Sequence, residues 1–198
     1  MSQTLTKVRL MSVEEYLRFE ERSKIRHEFI DGEVFAMAGS KRHHSLIASN
    51  IGIRLGVQLE NRDCEVHFGD LRVEASETTY VYPDVTVVCG KVQLVPNIFD
   101  TLANPTVIFE VLSKSTESRD RGEKSIAYRR LANLTDYVLV SQNKMQVEHF
   151  VRQLDGTWKL YEFTAPLEKV VLTSINCEVS LAEIYRRVDL SSRRFPAA

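Results

Sequence analysis

Apolar residues recur at helical spacing in several stretches of the chain. Between residues 44 and 60 they come every four positions, which is typical of an amphipathic helix packed on a sheet. These positions are Ile47, Ile51, Leu55 and Leu59. Ser12 and Glu15 have the spacing of a capping box, which predicts a helix over 13–22. A third helix is predicted over 121–132, and Ser180 is the predicted cap of a fourth that continues to Val188.

Short runs rich in Val, Ile, Tyr and Phe predict strands between these helices. Asp31-Gly32 and Asp155-Gly156 each predict the turn of a hairpin, because both positions of such a two-residue turn need positive φ. The other strand candidates are CEVHF, LRVEA, YVYPDVTVVCG, TVIFEVLS and DYVLVS. The alternation predicts a mixed α/β fold in which helices flank a central mixed sheet that carries added β-hairpins.

Composition agrees with a globular protein, since 43% of the 198 residues are apolar, 27% are charged and the net charge is -1. We expect a single domain over 1–190 and a flexible tail over 191–198. No signal peptide and no apolar run of membrane-spanning length is found, so we expect a cytoplasmic protein. The three cysteines are far apart and form no C-x-x-C pair, which predicts buried free thiols.

Two carboxylates interrupt the most apolar strands. Asp84 lies in YVYPDVTVV and Glu110 lies in TVIFEVL. An ionised carboxylate in apolar surroundings destabilises the fold by several kcal/mol unless its charge is compensated. A bound cation would compensate the charges of both groups. The alternative is that each acid pairs with a helix arginine or lies in solvent at a strand end. Pro83 indicates a strand start or edge, so Asp84 is expected where a strand opens into a site.

Lys124 and Tyr128 are four residues apart, so they share one face of the third helix. Two carboxylates that hold a metal ion beside a lysine are suited to phosphodiester hydrolysis. The metal would polarise the phosphoryl oxygen, and the lysine would stabilise hydroxide or developing negative charge. Oxygen ligands favour Mg²⁺ or Mn²⁺ over zinc.

Three motifs give the chain a family resemblance. They are YPD at 82–84, EVLSKST at 110–116 and D-x-x-x-K at 120–124, with Tyr128 four residues further on. In this order they resemble the Uma-type family of restriction endonucleases, within the PD-(D/E)XK nuclease superfamily. The resemblance extends to IDGEVFAMAG, HHSLIASNI and DYVLVSQ and covers roughly residues 12–185.

The resemblance implies a restriction-endonuclease-like fold, a divalent-metal site with Asp84 and Glu110 as ligands, and DNA as the substrate. The superfamily signature has a lysine two residues after the second acid, where this chain has Leu112. The resemblance therefore places the catalytic lysine on the third helix, at Lys124, with Lys114 as the alternative.

Three further residues are candidates with an open alternative. His44 matches a family histidine and would bind phosphate or move a proton, or else is a partly exposed residue near a helix N-terminus. Glu33 is a candidate metal ligand through water, or a strand-edge residue in solvent. Asp70 is a candidate extra ligand, or an Asx-turn residue between strands.

Residues 114–130 carry six basic and three acidic side chains. Such a run is usually a solvated helix face. The resemblance favours a second interpretation, because a nuclease needs phosphate contacts near its metal ion. The candidate nucleic-acid-binding residues are Lys114, Arg119, Arg121 and Arg129.

The sequence thus predicts a metal-dependent endonuclease that acts on DNA. A homodimer is expected, because cutting both strands usually calls for two sites related by symmetry. The main alternative is an inactive nuclease fold that serves as a nucleic-acid-binding or assembly module. Hydrolysis of a small phosphoester is a third possibility, for which we expect a closed pocket instead of an open groove.

Overall fold

The computed structural model of this protein describes residues 10–37, 39, 41–96 and 98–191. In these ranges the helices are α1 (Val13–Arg22), α2 (Arg42–Leu59), α3 (Glu117–Arg121), α4 (Glu123–Arg130) and α5 (Leu181–Ile184), with a 3₁₀ turn at Thr173–Ile175. The strands are β1 (His27–Ile30), β2 (Glu33–Ala36), β3 (Cys64–Phe68), β4 (Arg72–Ser76), β5 (Thr79–Val81), β6 (Val85–Cys89), β7 (Thr101–Leu102), β8 (Val107–Leu112), β9 (Asp136–Ser141), β10 (Val147–Arg152), β11 (Trp158–Phe163), β12 (Lys169–Leu172) and β13 (Cys177–Ser180).

A six-stranded mixed sheet forms the centre of the fold, in the order β11-β10-β9-β8-β6-β3. Strands β8 and β9 run parallel, while the other neighbours in this sheet are antiparallel. The apolar face of α2 covers one side, where Ile51 and Leu55 are fully buried in one cluster with Phe109 and Val138. Each such side chain contributes about 1.5–3 kcal/mol by burial, so the predicted apolar face holds α2 against the sheet.

A second sheet of five strands, in the order β2-β1-β5-β4-β7, lies on the opposite side together with α4. Ile30 and Val73 of this sheet share a buried cluster with Tyr128 of α4 and with Ile108 and Leu139 of the central sheet. The layers are therefore α2, the six-stranded sheet, and the five-stranded sheet with α4. This arrangement confirms the predicted mixed α/β class with helices on a central mixed sheet.

Two local signals near the start of the described chain fold as predicted. Ser12 and Glu15 form the capping box of α1, in which each side chain accepts a hydrogen bond from the other residue's backbone N–H. Asp31 and Gly32 both have positive φ and join β1 to β2. The turn thereby sets the register of β1, the strand that brings Glu28 toward the centre of the molecule.

Two predicted elements are interrupted in the structure. The helix predicted over 121–132 is broken at Gly122, whose backbone is not helical (φ -102°, ψ -104°). Its main part is α4, while Arg121 ends α3, a short helix that the sequence did not predict. A Cβ at Gly122 would lie 2.9 Å from the carbonyl oxygen of Ser118, so the close passage needs glycine. The strand predicted over 80–90 is divided into β5 and β6 near Pro83, which has no N–H to donate to a ladder. Asp84 follows this break directly, as the sequence predicts.

The C-terminal region differs more from the sequence prediction. Strands β12 and β13 form a separate two-stranded sheet, and neither they nor the two-residue β7 are predicted by the pattern. The last helix has its predicted cap at Ser180 but ends at Ile184, short of Val188. One reason is that Asn50 of α2 donates hydrogen bonds to the carbonyl oxygens of Ile184 and Arg186, which satisfies the helix end.

Only Ser191 of the predicted tail at 191–198 lies within the described residues. Among the helices described, none is both long enough and apolar enough to cross a bilayer.

The prediction of free thiols is wrong for two of the three cysteines. Cys64 and Cys89 form a disulfide, because β3 and β6 are neighbours in the sheet and these two residues are direct partners in its register. They are 25 residues apart in the sequence, so their spacing gives no sign of the pairing. Cys177 is free and buried, as predicted.

Replacing Cys64 and Cys89 together by serine should lower the free energy of unfolding by about 2–4 kcal/mol, because the disulfide restricts the unfolded chain. Denaturant unfolding with and without a reductant measures the effect. Reductant should destabilise the wild type to the level of the double variant and leave the double variant unchanged. An unfolding midpoint of the oxidised wild type that does not respond to reductant would contradict the pairing.

Candidate active site

An open cleft with a volume of about 850 Å³ lies at one end of the central sheet. The break between β5 and β6, the C-terminal end of β8, the first turn of α2 and the α3–α4 pair all contribute to its wall. Seven of the predicted site residues line it: His44, Asp70, Asp84, Glu110, Lys114, Arg119 and Lys124. The fold thus brings together residues that are up to 80 positions apart in the sequence.

Asp84 is attached to both neighbouring elements. Its Oδ2 accepts a hydrogen bond of 2.7 Å from the backbone N–H of Val111 on β8. The same oxygen lies 3.2 Å from Nε2 of His44, in the first turn of α2. Burial alone would lower the pKa of His44, but the Asp84 carboxylate raises it above its ordinary value. The imidazole therefore holds a proton more tightly than a free histidine does, and it orients the Asp84 carboxylate.

Lys124 occupies the inner end of the cleft and contacts three carboxylates. Its Nζ lies 2.6 Å from Oε1 of Glu110, 2.8 Å from Oε1 of Glu28 and 3.1 Å from Oδ1 of Asp120. Tyr128, one turn further along α4, donates a hydrogen bond of 2.8 Å to the same Glu110 oxygen. All five residues are at most 5% exposed, so water screens these interactions little.

The protonation states follow from these surroundings. Burial raises the pKa of Glu110 well above its ordinary value, and the nearby Lys124 ammonium opposes that rise. Burial would lower the pKa of Lys124, but Glu110 and Glu28 raise it well above its ordinary value. Lys124 is therefore a protonated ammonium that donates hydrogen bonds and cannot accept a proton.

At the inner end of the cleft, acidic side chains outnumber basic ones. Four carboxylates, on Glu28, Asp84, Glu110 and Asp120, face one lysine and the imidazole of His44. Such a group of buried acids, rich in oxygen donors, suits a divalent cation. Asp84 and Glu110 could hold one, since the contacts above leave one oxygen of each carboxylate unused.

Among the described residues, no group of three or more His, Cys, Asp or Glu side chains converges in a metal-binding arrangement. Asp70 is exposed at the rim of the cleft, in the turn between β3 and β4. Glu33 is exposed on β2 and is not among the described residues that line the cleft. Mg²⁺ keeps several of its water ligands when it binds to proteins. It can therefore be held by two carboxylates, with water as the remaining ligands.

The basic candidates separate into two pairs. Lys114 and Arg119 line the cleft, and the guanidinium of Arg119 stacks 4.1 Å over the ring of Phe35. Its buried Nε has no hydrogen-bond partner among the described residues. Arg121 instead forms ion pairs with Glu148 and Glu117, outside the cleft.

Arg129 donates from Nε to the carbonyl oxygen of Ser125, one turn earlier in α4, and does not reach the cleft in the described structure. The structure therefore places two of the four basic candidates in the wall of the cleft and the other two outside it.

Two residues of the site are missed by sequence reasoning. Glu28 is on the same face of β1 as the apolar Ile30, since side chains alternate along a strand. This shared face was the available signal that Glu28 is buried. Gln142 follows β9 and lines the cleft with 3% exposure, and no local pattern marks it. Asp120 entered only as a motif position, and its contact with Lys124 comes from the i, i+4 spacing between the end of α3 and the start of α4.

Sequence and structure comparisons identify relatives of this chain. An uncharacterized protein of Synechocystis sp. is 35% identical over 177 residues, which cover 89% of this chain and 92% of that protein. A second uncharacterized Synechocystis protein is 32% identical over 155 residues, with 78% and 88% covered. The crystal structure of "a putative nuclease belonging to DUF820" from Anabaena variabilis superimposes with a TM-score of 0.74 at 16% identity, covering 88% of this chain and 97% of that one.

The Anabaena structure therefore shares the fold. The sequence model of the Uma2 family, described as "Putative restriction endonuclease", matches residues 13–182. This match spans most of the chain, including every residue of the cleft described above. The chain belongs to the Uma2 family of restriction-endonuclease-like proteins.

Proposed function

We propose that this protein is an endonuclease that hydrolyses DNA phosphodiester bonds with Mg²⁺ or Mn²⁺. One observation carries the proposal. Nζ of Lys124 lies 2.6 Å from Oε1 of Glu110, and Asp84 lines the same cleft. Two acids and a lysine are therefore close together, although the lysine is on a helix. This is the residue set that the resemblance to PD-(D/E)XK nucleases requires.

Asp84 and Glu110 would hold the divalent cation. When bound, the ion supplies Lewis-acid chemistry: it polarises a phosphoryl oxygen and lowers the pKa of water. The protein contributes the orientation of both acids. The backbone N–H of Val111 and the imidazole of His44 fix Asp84, and the hydroxyl of Tyr128 fixes Glu110.

Lys124 acts in this proposal as an electrostatic stabiliser. Its protonated state excludes it as the base that takes a proton from water. A fixed ammonium in a poorly solvated cleft stabilises negative charge that develops on the phosphoryl group. Glu28 and Asp120 keep the ammonium in place, so they are positioning residues.

Lys114 and Arg119 would contact the phosphate backbone of DNA on the way into the cleft. Arg119 is held by its stacking on Phe35, and its buried Nε is available to an anion. The proposal includes a homodimer, because two symmetry-related sites allow both strands of a duplex to be cut.

A second candidate function is a nuclease fold that binds nucleic acid without turnover. It is favoured by the absence, among the described residues, of a third side chain that would complete a metal-ligating cluster. It is also favoured by the three carboxylates that already engage Lys124. The two candidates differ in whether Asp84 and Glu110 are needed for an activity beyond binding.

Replacing Asp84 by Asn or Glu110 by Gln should reduce plasmid cleavage in Mg²⁺ by about 100-fold or more, because each change removes a charge that holds the ion. Binding of DNA to both variants should persist in a gel-shift assay. Glu33→Gln is the matched control, since it neutralises an exposed acid outside the cleft, and it should cleave as the wild type does. Cleavage that survives both cleft substitutions would refute the nuclease proposal and favour the binding module.

Replacing Lys124 by Met should lower the free energy of unfolding by about 3–5 kcal/mol, because three buried carboxylates lose their partner. Adding Glu110→Gln to this variant should restore part of the loss, since one unbalanced charge is removed. Denaturant unfolding measures both effects. Lys114→Met, at the exposed rim, is the control and should leave stability unchanged. Additive losses in the Lys124→Met, Glu110→Gln double variant would show that the two side chains do not interact.

Replacing Lys114 or Arg119 by Ala should weaken DNA binding and reduce the slope of log K against log salt by about 1 each, because each contacts a phosphate. Fluorescence anisotropy at several salt concentrations measures the slope. Arg121→Ala is the matched control, because Glu148 and Glu117 already neutralise that guanidinium. An equal loss of slope in all three variants would mean that the whole basic run binds DNA and the cleft has no special part in it.

A further inference from the structure

Gln142 is the one residue from the β9–β10 region that lines the cleft, within the described residues. Its side chain is 3% exposed. The amide nitrogen Nε2 donates a hydrogen bond of 3.0 Å to the carbonyl oxygen of Leu112. The amide oxygen Oε1 is buried and has no hydrogen-bond partner among the described residues.

The orientation of this amide is determined by its surroundings. If the nitrogen and oxygen were exchanged, two oxygens without hydrogens would face each other at Leu112. Oε1 therefore points away from Leu112 and remains an acceptor. A buried acceptor without a donor is destabilising. A donor group of a molecule or ion bound in the cleft would therefore be stabilised by a hydrogen bond to Oε1.

Among the described residues, no donor contacts this oxygen, and the nearest cleft groups are already engaged. Leu112 is two residues beyond Glu110 on β8, so Gln142 lies at the strand end that carries the proposed metal ligand. The ammonium of Lys124 is already surrounded by three carboxylates. The hydroxyl of Ser113 is engaged with Ser115 and Thr116.

A hydrated cation fits these requirements. Its water ligands turn their hydrogens outward, so they present donors to every surrounding acceptor. A neutral amide oxygen accepts such a hydrogen bond without adding further negative charge to four carboxylates.

We propose that Oε1 of Gln142 accepts a hydrogen bond from the hydration shell of the divalent cation held by Asp84 and Glu110. The inference rests on the proposed metal-dependent function and extends it. Gln142 is then a positioning residue for the hydrated ion, through contacts of the kind that commonly change metal affinity by about 10–100-fold.

The test is calorimetric titration of the purified protein with Mn²⁺ in the absence of DNA. Gln142→Met keeps the side-chain size and removes the amide, and we expect it to weaken Mn²⁺ binding by about tenfold. Gln142→Glu keeps an acceptor and adds charge, and we expect binding at least as tight as in the wild type.

Gln153→Met is the matched control. The amide of Gln153 also donates a 3.0 Å hydrogen bond to a backbone carbonyl, that of Val151, but it lies outside the cleft. Its loss should leave Mn²⁺ affinity unchanged. A decrease restricted to Gln142→Met therefore reports the free oxygen and not the loss of an amide-to-carbonyl bond.

The outcomes separate this inference from the proposed function. Unchanged affinity in Gln142→Met, with normal binding by the wild type, overturns the role of Gln142 alone. A wild type that binds no Mn²⁺ overturns both the inference and the metal-dependent activity. If thermal melting shows that Gln142→Met does not fold, the Mn²⁺ affinity of Gln142→Glu is the test. Binding at least as tight as in the wild type supports the inference, and weaker binding overturns it.

Discussion

The contact of one buried ammonium with three carboxylates connects the layers of this fold. Glu28 comes from the five-stranded sheet, Glu110 from the central sheet, Asp120 from α3 and Lys124 from α4. Any shift of one layer against another would leave a charge buried without a partner, which is destabilising by about 3–5 kcal/mol. The cluster therefore fixes the relative positions of the two sheets and the helix pair at the cleft.

The same cluster explains how a lysine far in sequence from Glu110 comes to lie beside it. On β8, the position two residues after Glu110 is Leu112, which is buried in the apolar cluster with Tyr137 and Leu139. Glu110 points to the same face of β8, and helix α4 packs over this face and brings Lys124 to Glu110. Tyr128 follows on the same helix face and binds the same carboxylate oxygen. An ammonium thus lies beside the acid although it comes from a different element.

The cleft separates its charges by depth. The inner end holds an excess of carboxylates, where a cation is favoured, while Lys114 and Arg119 contribute positive charge to its wall. In the proposed function, these residues would compensate the charge of a phosphate near the inner carboxylates. Arg121 belongs to the same basic run in sequence, yet its charge is neutralised by Glu148 and Glu117. Proximity in the sequence does not decide which arginine faces the cleft.

Local chemistry determined much of this protein without tertiary information. The Ser12 capping box, the turn at Asp31 and Gly32 and the apolar face of α2 follow from interactions within a few residues, and all three form as predicted. The carboxylates at Asp84 and Glu110 were recognisable because a charge in an apolar strand conflicts with its surroundings.

Tertiary structure decided what depends on neighbours distant in sequence. The register of β3 and β6 paired Cys64 with Cys89, and the packing of two sheets brought Glu28 to Lys124. The free oxygen of Gln142 appears only once β8 and β9 lie side by side. Hydrogen bonds and ion pairs between layers have no periodic sequence signature, because each requires only that two groups meet in space.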